Sequence, residues 1–437
     1  MIAPIQLDAD RSPLRVGIDA RISTGRVGGV EQLLIGMASG LSRLSDGGDC
    51  YCFLTLEGQD DWIRPYLTGP CVPIRSPAAP TRMRRLVGRW EKPIRTALGW
   101  FGELAVTLPR SDGTAERAGC DLMHQTLEGF ITDIPTLFQI NDLQHVHFPE
   151  FFTRRDRSIR DKHYRAFSRQ AKGVVTLGHC GRDDIIRTLG LLPASVFAMP
   201  LGSALQTYRT PTKDDDLQVQ RKFNLPPRYL LYPAQTWPHK NHMRLVEAVS
   251  FAKTEHGLRI PIVLSGRLTP HYALVRSWAA QLGVADQITP VDFVSPEELK
   301  SLYRMAYGVV FPSLFEGWGM PVSEAFDTGV PVACSAVTSL PEVAGDAAIL
   351  FNPHDPRDIA FAMRTLWTDE SLRARLVAKG TERARTLTWQ HTAKILRALY
   401  RKTGNRGLSS EDASLLAQSC PAEMNDAPSG NVHSEAH

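Results

Sequence analysis

The chain has no long apolar run. None of its 437 residues lies in a stretch near the eighteen or so apolar residues that a membrane span requires. The first fifteen residues carry Asp8, Asp10 and Arg11 and no apolar core, so no secretory signal is read there. The expectation is a chain that stays in the cytoplasm, where it can still touch a membrane surface. Paired cysteine spacings are also missing. Cys50, Cys52, Cys71, Cys120, Cys180, Cys334 and Cys420 are scattered and odd in number, which excludes a zinc finger or a dense disulfide scaffold and suggests reduced thiols. Cys50 and Cys52 read as two residues on one face of a strand. Nor is there an excess of one charge: 50 basic and 46 acidic side chains leave a net +4, so nucleic acid is not the default partner. No Asp-x-Asp metal motif stands at a strand end, and the acidic run Asp214–Asp216 falls in a polar stretch.

What is present is a rhythm. Short apolar runs alternate with longer amphipathic segments from Leu14 to about Arg401, the pattern of α/β units around parallel sheets. In the first half the expected strands are Arg15–Asp19, Tyr51–Leu56, Asp121–His124, Thr136–Asn141, Gly173–Leu177 and Val196–Pro200. In the second they are Tyr229–Pro233, Pro261–Ser265, Ile288–Phe293, Gly308–Pro312, Pro331–Ser335 and Ala348–Asn352. Continuously apolar runs such as YLLYP and GVVFP suit strands covered on both faces. The length fits two domains of roughly 150–200 residues each. Residues 14–205 read as the first, 206–227 as a polar linker with a solvated helix, 228–387 as the second, and 388–403 as a last helix. Residues 404–437, rich in Ser, Asp, Gly, Ala and Pro, read as a disordered tail. Within residues 82–101, Arg82, Arg84, Arg85, Arg89, Lys92 and Arg95 interleave with Leu86, Trp90, Ile94, Trp100 and Phe101. That basic amphipathic composition suits an anionic bilayer surface or an acidic acceptor, and equally a helix packed on its own domain. A second basic segment starts at Arg154.

The chemistry concentrates at two strand ends of the second half. SLFEGWGMPVSEAF follows the strand GVVFP and opens a helix at Pro321. Gly317 and Gly319 let the backbone approach a ligand, and the helix start offers amides and a positive end to an anion such as a diphosphate. Glu316 and Glu324 flank that loop and would repel a phosphate unless they face hydroxyls of sugar and ribose. The second constellation, YPAQTWPHKNHMRL, sets Lys240 at a helix start, where an ammonium can reach a phosphate. Arg267, in VLSGR, is a further candidate cation. In the first half, a glycine turn at Gly28 and Gly29 precedes an amphipathic helix. His124 and Asp142 stand at the carboxyl ends of neighbouring strands, where open α/β sheets bind ligands. His145 and His147 are of metal-ligating type, but no further ligand cluster accompanies them.

Glu316 and Glu324 reproduce an E-x(7)-E spacing, and over about residues 14–402 the chain resembles the retaining glycosyltransferases of family 4, which have the GT-B fold. The resemblance implies an α/β architecture of two Rossmann-like domains facing across a cleft. It implies that Glu316 contacts the donor sugar, Glu324 the ribose, the backbone of Gly317, Trp318, Gly319 and Met320 the phosphates, and Lys240 the leaving diphosphate. Many members place an arginine just upstream of that lysine; here Ala234 and Gln235 stand there, as in the subset that reads His-Lys-Asn. Gly28 and Gly29 correspond to a glycine loop beside the donor phosphates, and Phe293 and Val294 to a turn flanking the base. Asn141 stands where the family commonly has histidine. The implied reaction transfers a sugar from a nucleotide-sugar, without a metal or other cofactor, to a glycan or polyprenyl-diphosphate-linked acceptor. The HKN and FEGWGMP sequences resemble bacterial surface-polysaccharide mannosyltransferases, which points to GDP-mannose, with UDP-sugars and deoxysugar donors open. Two rivals remain: a nucleotide-sugar epimerase of the same fold, and a non-catalytic membrane-docked assembly subunit.

Overall fold

Apolar runs of three to seven residues assemble two all-parallel sheets in the computed structural model, which describes residues 12–22, 28–45, 48–76, 108–127 and 129–421. The first sheet runs β3-β2-β1-β4-β5-β6-β7. Its strands are β1 Arg15–Asp19, β2 Cys50–Leu56, β3 Cys71–Ser76, β4 Leu122–Gln125, β5 Thr136–Gln139, β6 Gly173–Thr176 and β7 Val196–Ala198. The second runs β10-β9-β8-β11-β12-β13. It comprises β8 Leu230–Pro233, β9 Ile262–Ser265, β10 Ile288–Asp292, β11 Gly308–Phe311, β12 Val332–Ser335 and β13 Ala348–Phe351. In both, the strand order reverses beside the first strand, between β1 and β4 and between β8 and β11. That is the doubly wound arrangement, and it opens a crevice at the carboxyl ends of the strands.

Helices of five or more residues connect these strands or follow the last of them. They are α1 Gly28–Leu41, α2 Arg154–Gln170, α3 His179–Leu189, α4 Lys213–Lys222, α5 His242–His256, α6 Tyr272–Gln281, α7 Pro296–Met305, α8 Met320–Asp327, α9 Leu340–Ala344, α10 Pro356–Thr368, α11 Glu370–Thr386, α12 Trp389–Thr403 and α13 Ser410–Ser419. Strands such as β6, β9 and β11 are buried along their whole length, because helices cover both faces. The strand β3 is the one that the apolar-run reading passes over. It lies at the sheet edge, is buried only at its two ends, alternates half-buried and exposed residues between them and contains Pro73, all features of an edge rather than a central strand.

The last long helix crosses back to the first domain. Trp389 seats over Gly36 and Gly40 of α1, where any side chain would collide with it, and its indole Nε1 donates to the carbonyl of Ser203 at 2.9 Å. Further along α12, Arg401 pairs with Asp49 at 2.8 Å. One apolar cluster therefore runs from Val16 through Trp389 to Phe311, joining the two domains on one side of the crevice.

A tail disordered from Gly404 is not what the structure shows. Residues Ser410–Ser419 form α13, started by a reciprocal capping box between Ser409 and Asp412. Asp412 also pairs with the buried Arg397 at 2.9 Å, and Leu415 and Leu416 are buried. Arg182, fully buried, donates to the carbonyls of Pro193, Val196 and Pro421, tying the segment to β7. Composition undercounts such a segment because its two leucines and one carboxylate meet a prepared surface. Residues 422–437 and the basic segment 82–101 lie outside the described residues. No described helix is long and apolar enough to cross a membrane.

Candidate active site at the interdomain cleft

The loop after β11 is shaped by its glycines. Gly319, at φ +99, caps α8, and Pro321 occupies its first turn. A Cβ at Gly319 would collide with Leu340, and one at Gly317 with the carbonyl of Asn141 from the first domain. The segment before α9 pins the loop: Thr338 Oγ1 accepts the amide of Glu316 at 3.2 Å, and Ser339 Oγ donates to the carbonyls of Glu316 and Trp318 at 3.1 and 2.8 Å. With those carbonyls bound, the amides from Gly317 to Met320 and the positive end of α8 are what an anion would meet. Trp318 itself is buried.

Lys240 arrives from the loop after β8. A short turn, Pro238–Lys240, ends at Asn241, which adopts φ +63 and donates through Nδ2 to the carbonyls of Pro312 and Pro353 at 2.9 and 2.8 Å. The Tyr232 hydroxyl binds the carbonyl of Lys240. So fixed, the Lys240 ammonium lies 2.5 Å from Glu316 Oε1, both side chains largely withdrawn from solvent. The sequence signal for Asn241 is its residue type, since asparagine tolerates a left-handed backbone better than most residues.

The first domain closes over these groups. Gly28, at φ +26, brings its α-carbon so near Gln235 that a Cβ would lie 2.9 Å from Nε2, and a Cβ at Gly29 would lie 3.5 Å from Met320 Cε. Arg267 stands exposed just beyond β9, its carbonyl accepting the amide of Thr236 at 3.2 Å, beside Gln235. The structure thus brings together Gly28, Gly29, Gln235, Lys240, Glu316, Gly317 and Met320.

Glu324 is in a different environment from Glu316. It is buried, accepts the Tyr303 hydroxyl at 2.7 Å, and burial pushes its pKa up to about 7. In the turn after β10, Phe293 is 70% exposed and Val294 buried, so one side chain is available to a flat ligand and the other to the core.

Across the cleft, Asp142 lies with its Cβ 3.4 Å from the position of a Gly317 Cβ, and its Oδ1 accepts the amide of Gln144 at 3.1 Å. Asn141 accepts from Gln139 at 2.6 Å. His147 stacks on Phe315, the neighbour of Glu316, with centroids 5.5 Å apart. Its Nε2 lies 2.8 Å from Asp184, whose carboxylate raises the imidazole pKa. His145 points elsewhere, buried against Tyr164, and desolvation lowers its pKa to about 4. Among the described residues no group of three His, Cys, Asp or Glu side chains is placed to hold a metal ion.

His124 does not line the cleft, contrary to expectation. It pairs in register with Ile18, is wholly buried, and its Nδ1 lies 2.7 Å from the Tyr400 hydroxyl of α12. Burial lowers its pKa to about 3, so the ring stays neutral. Its strand end is near the crevice, but its side chain points to the sheet face that α12 covers. Glu342 and Gly178, which join the domains, carry no signal in spacing or composition and are missed from the sequence.

Residues 213–383 match the sequence model of the family described as glycosyl transferases group 1. The match lies in the C-terminal domain and takes in less than half of the chain. Among curated relatives, the O-antigen chain mannosyltransferase B of Escherichia coli is 32% identical over 230 residues, which cover 51% of this chain and 58% of that protein. The serotype-specific mannosyltransferase WbdA of E. coli is 34% identical over 179 residues, 40% of this chain and 22% of that protein. The aligned regions therefore span little more than half of the first relative and about a fifth of the second. Among solved structures, Anabaena HepE in complex with UDP and glucose covers 89% of this chain and 100% of its own, with a TM-score of 0.66 at 14% identity. Sucrose-phosphate synthase from Thermosynechococcus elongatus covers 89% and 98%, with a TM-score of 0.65 at 18% identity. These likenesses extend over both domains and are likenesses of fold: the chain has the GT-B architecture of two Rossmann-like domains facing across a cleft.

Proposed function

We propose that the chain is a glycosyltransferase that moves mannose from GDP-mannose to a hydroxyl of a glycan or polyprenyl-diphosphate-linked acceptor in surface-polysaccharide synthesis, with retention and without a divalent metal. One observation carries the reading: the Lys240 ammonium, 2.5 Å from Glu316, stands beside the glycine turn that opens α8. A nucleoside diphosphate leaving group develops negative charge as its bond to the anomeric carbon breaks, and fixed donors at that oxygen are usually a large part of such catalysis. Lys240 and the amides of Gly317 to Met320 are the donors, and a diphosphate that takes Lys240 releases Glu316 to sugar hydroxyls. The acceptor oxygen bonds to the anomeric carbon, the carbon–oxygen bond to diphosphate breaks, and the acceptor proton passes to the departing phosphate oxygen. Attack on the face that the leaving group vacates retains the configuration, as the family resemblance implies. The mannose assignment rests on the names of the relatives.

For a lipid-borne acceptor at the inner membrane face, the exposed Arg155 and Arg169 of α2, with the exposed Lys172 just beyond its end, offer a basic surface suited to anionic lipid. The test is a product assay with GDP-mannose, UDP-glucose and UDP-N-acetylglucosamine, with and without acceptor glycan, reading nucleotide release and the product's anomeric configuration by NMR. Acceptor-dependent release of GDP with an α-linked mannoside supports the reading. Turnover of donor without acceptor would favour an epimerase, and no turnover of any donor would reject the enzyme.

A further inference from the structure

The segment from Thr338 to Glu342 holds the donor turn with one end and the opposite domain with the other. Thr338, a non-glycine residue at φ +50, and Ser339 bind the backbone of Glu316 and Trp318 as described above. At the start of α9, the two carboxylate oxygens of Glu342 each accept one backbone N–H, from His179 and Cys180, both at 2.9 Å. These are the first amides of α3 in the N-terminal domain, at the positive end of an eleven-residue helix whose opening donors have no partner within the helix. Gly178 makes the approach possible. At φ +151, it lies where a Cβ would come within 3.0 and 3.1 Å of the two carboxylate oxygens and 2.8 Å of the Trp318 ring. Behind α9, Arg383 donates to the carbonyls of Glu342 and Val343 at 2.7 and 3.2 Å, so the segment cannot swing freely.

We propose that Glu342 is a positioning residue for the transfer step: it latches the donor turn to the N-terminal domain and so sets the distance across which donor and acceptor meet. The inference deepens the glycosyltransferase reading and rests on it for turnover. Binding the nucleotide needs chiefly the C-terminal domain, whereas transfer needs both domains in register. A broken latch therefore separates the two. The conservative Glu342→Gln keeps one accepting oxygen and presents an amide group to the other backbone N–H, so it weakens the latch rather than removing it.

The test compares the full chain with Glu342→Gln and Glu342→Ala, using calorimetric titration with guanosine and uridine diphosphates, transfer kinetics and small-angle X-ray scattering. In Glu342→Ala the nucleotide affinity stays within about twofold while kcat falls about tenfold or more, as a misplaced second substrate requires. The radius of gyration rises, and Glu342→Gln lies between. An unchanged radius and kcat in Glu342→Ala would overturn the proposal. So would nucleotide affinity and turnover lost in equal measure, which would make Glu342 part of the donor site's own packing. The scattering needs no activity, so a chain that opens on substitution yet transfers no sugar would keep the latch and lose only the enzyme.

Discussion

Lys240 and Glu316 come from loops after different strands of the second sheet, β8 and β11, and meet with Nζ 2.5 Å from Oε1. Asn241 fixes one by binding carbonyls on two neighbouring loops, and Thr338 and Ser339 fix the other by its backbone. The pair holds a positive charge at the mouth of a helix that already favours anions. A phosphate entering there exchanges one anionic partner of Lys240 for another, so little reorganisation is needed when the leaving group gains charge.

Removing that charge should cost catalysis more than folding. Lys240→Ala is expected to lower kcat about 10²–10³-fold, the effect of deleting one charge-stabilising donor. Because the pair is largely withdrawn from solvent but keeps some access to water, the loss of folding stability should lie between the values for exposed and buried pairs, at about 1–3 kcal/mol. Steady-state kinetics beside urea midpoints check both; a wild-type kcat would remove Lys240 from the chemistry.

Glu324 makes stability depend on pH. Burial pushes its pKa up to about 7, whereas an unfolded glutamate titrates near about 4.3. Between those values the folded protein keeps a proton that the unfolded chain has lost, so stability falls as pH rises through the window. The loss amounts to about 3–4 kcal/mol and is complete above it. Glu324→Gln keeps an acceptor for the Tyr303 hydroxyl and should flatten this slope, being the more stable protein at alkaline pH. Denaturant midpoints across the window decide, and identical slopes would contradict the assignment.

His124 should prove structural. Its replacement by alanine opens a cavity and strands the Tyr400 hydroxyl, costing about 2–4 kcal/mol of stability. The folded fraction should turn over as wild type does. A fall in kcat with unchanged stability would return His124 to the reaction.

Gly28 should tolerate no side chain while Gln235 faces it. Gly28→Ala strains a positive φ and crowds Gln235 Nε2, so kcat/KM for the donor should fall about tenfold. Adding Gln235→Ala relieves the crowding and should recover part of the loss, a coupling that a double-mutant cycle measures. Strict additivity would mean that the two loops do not meet.

Much of the fold is legible because central parallel strands must be apolar on both faces, and runs such as YLLYP and GVVFP meet that demand wherever they lie. The edge strand β3 escapes because its outer residues and Pro73 answer to solvent rather than to a core. The glycine turn that opens α8 is readable since Gly317, Gly319 and Pro321 are required by local backbone geometry. The face that a strand-end residue points to is not local. His124 and Leu122 share the side covered by α12, a helix that begins 265 residues after His124 in the chain, at Trp389. Glu342 and Gly178 are illegible for the same reason: a carboxylate and a glycine acquire meaning only when α9 and α3 meet. The helix α13 is hidden by its small, polar composition, although Ser409 and Asp412 carry the spacing of a capping box.

The most direct test of the central claim is the stability of the chain and of Lys240→Ala, by thermal unfolding, with guanosine or uridine diphosphate added. A diphosphate at 100 times its dissociation constant should add about 2.7 kcal/mol to the wild-type chain. The account predicts that guanosine diphosphate stabilises at lower concentration than uridine diphosphate, and that Lys240→Ala loses most of the shift at the same concentration. Equal shifts in the two proteins, or no shift with either nucleotide, would contradict it.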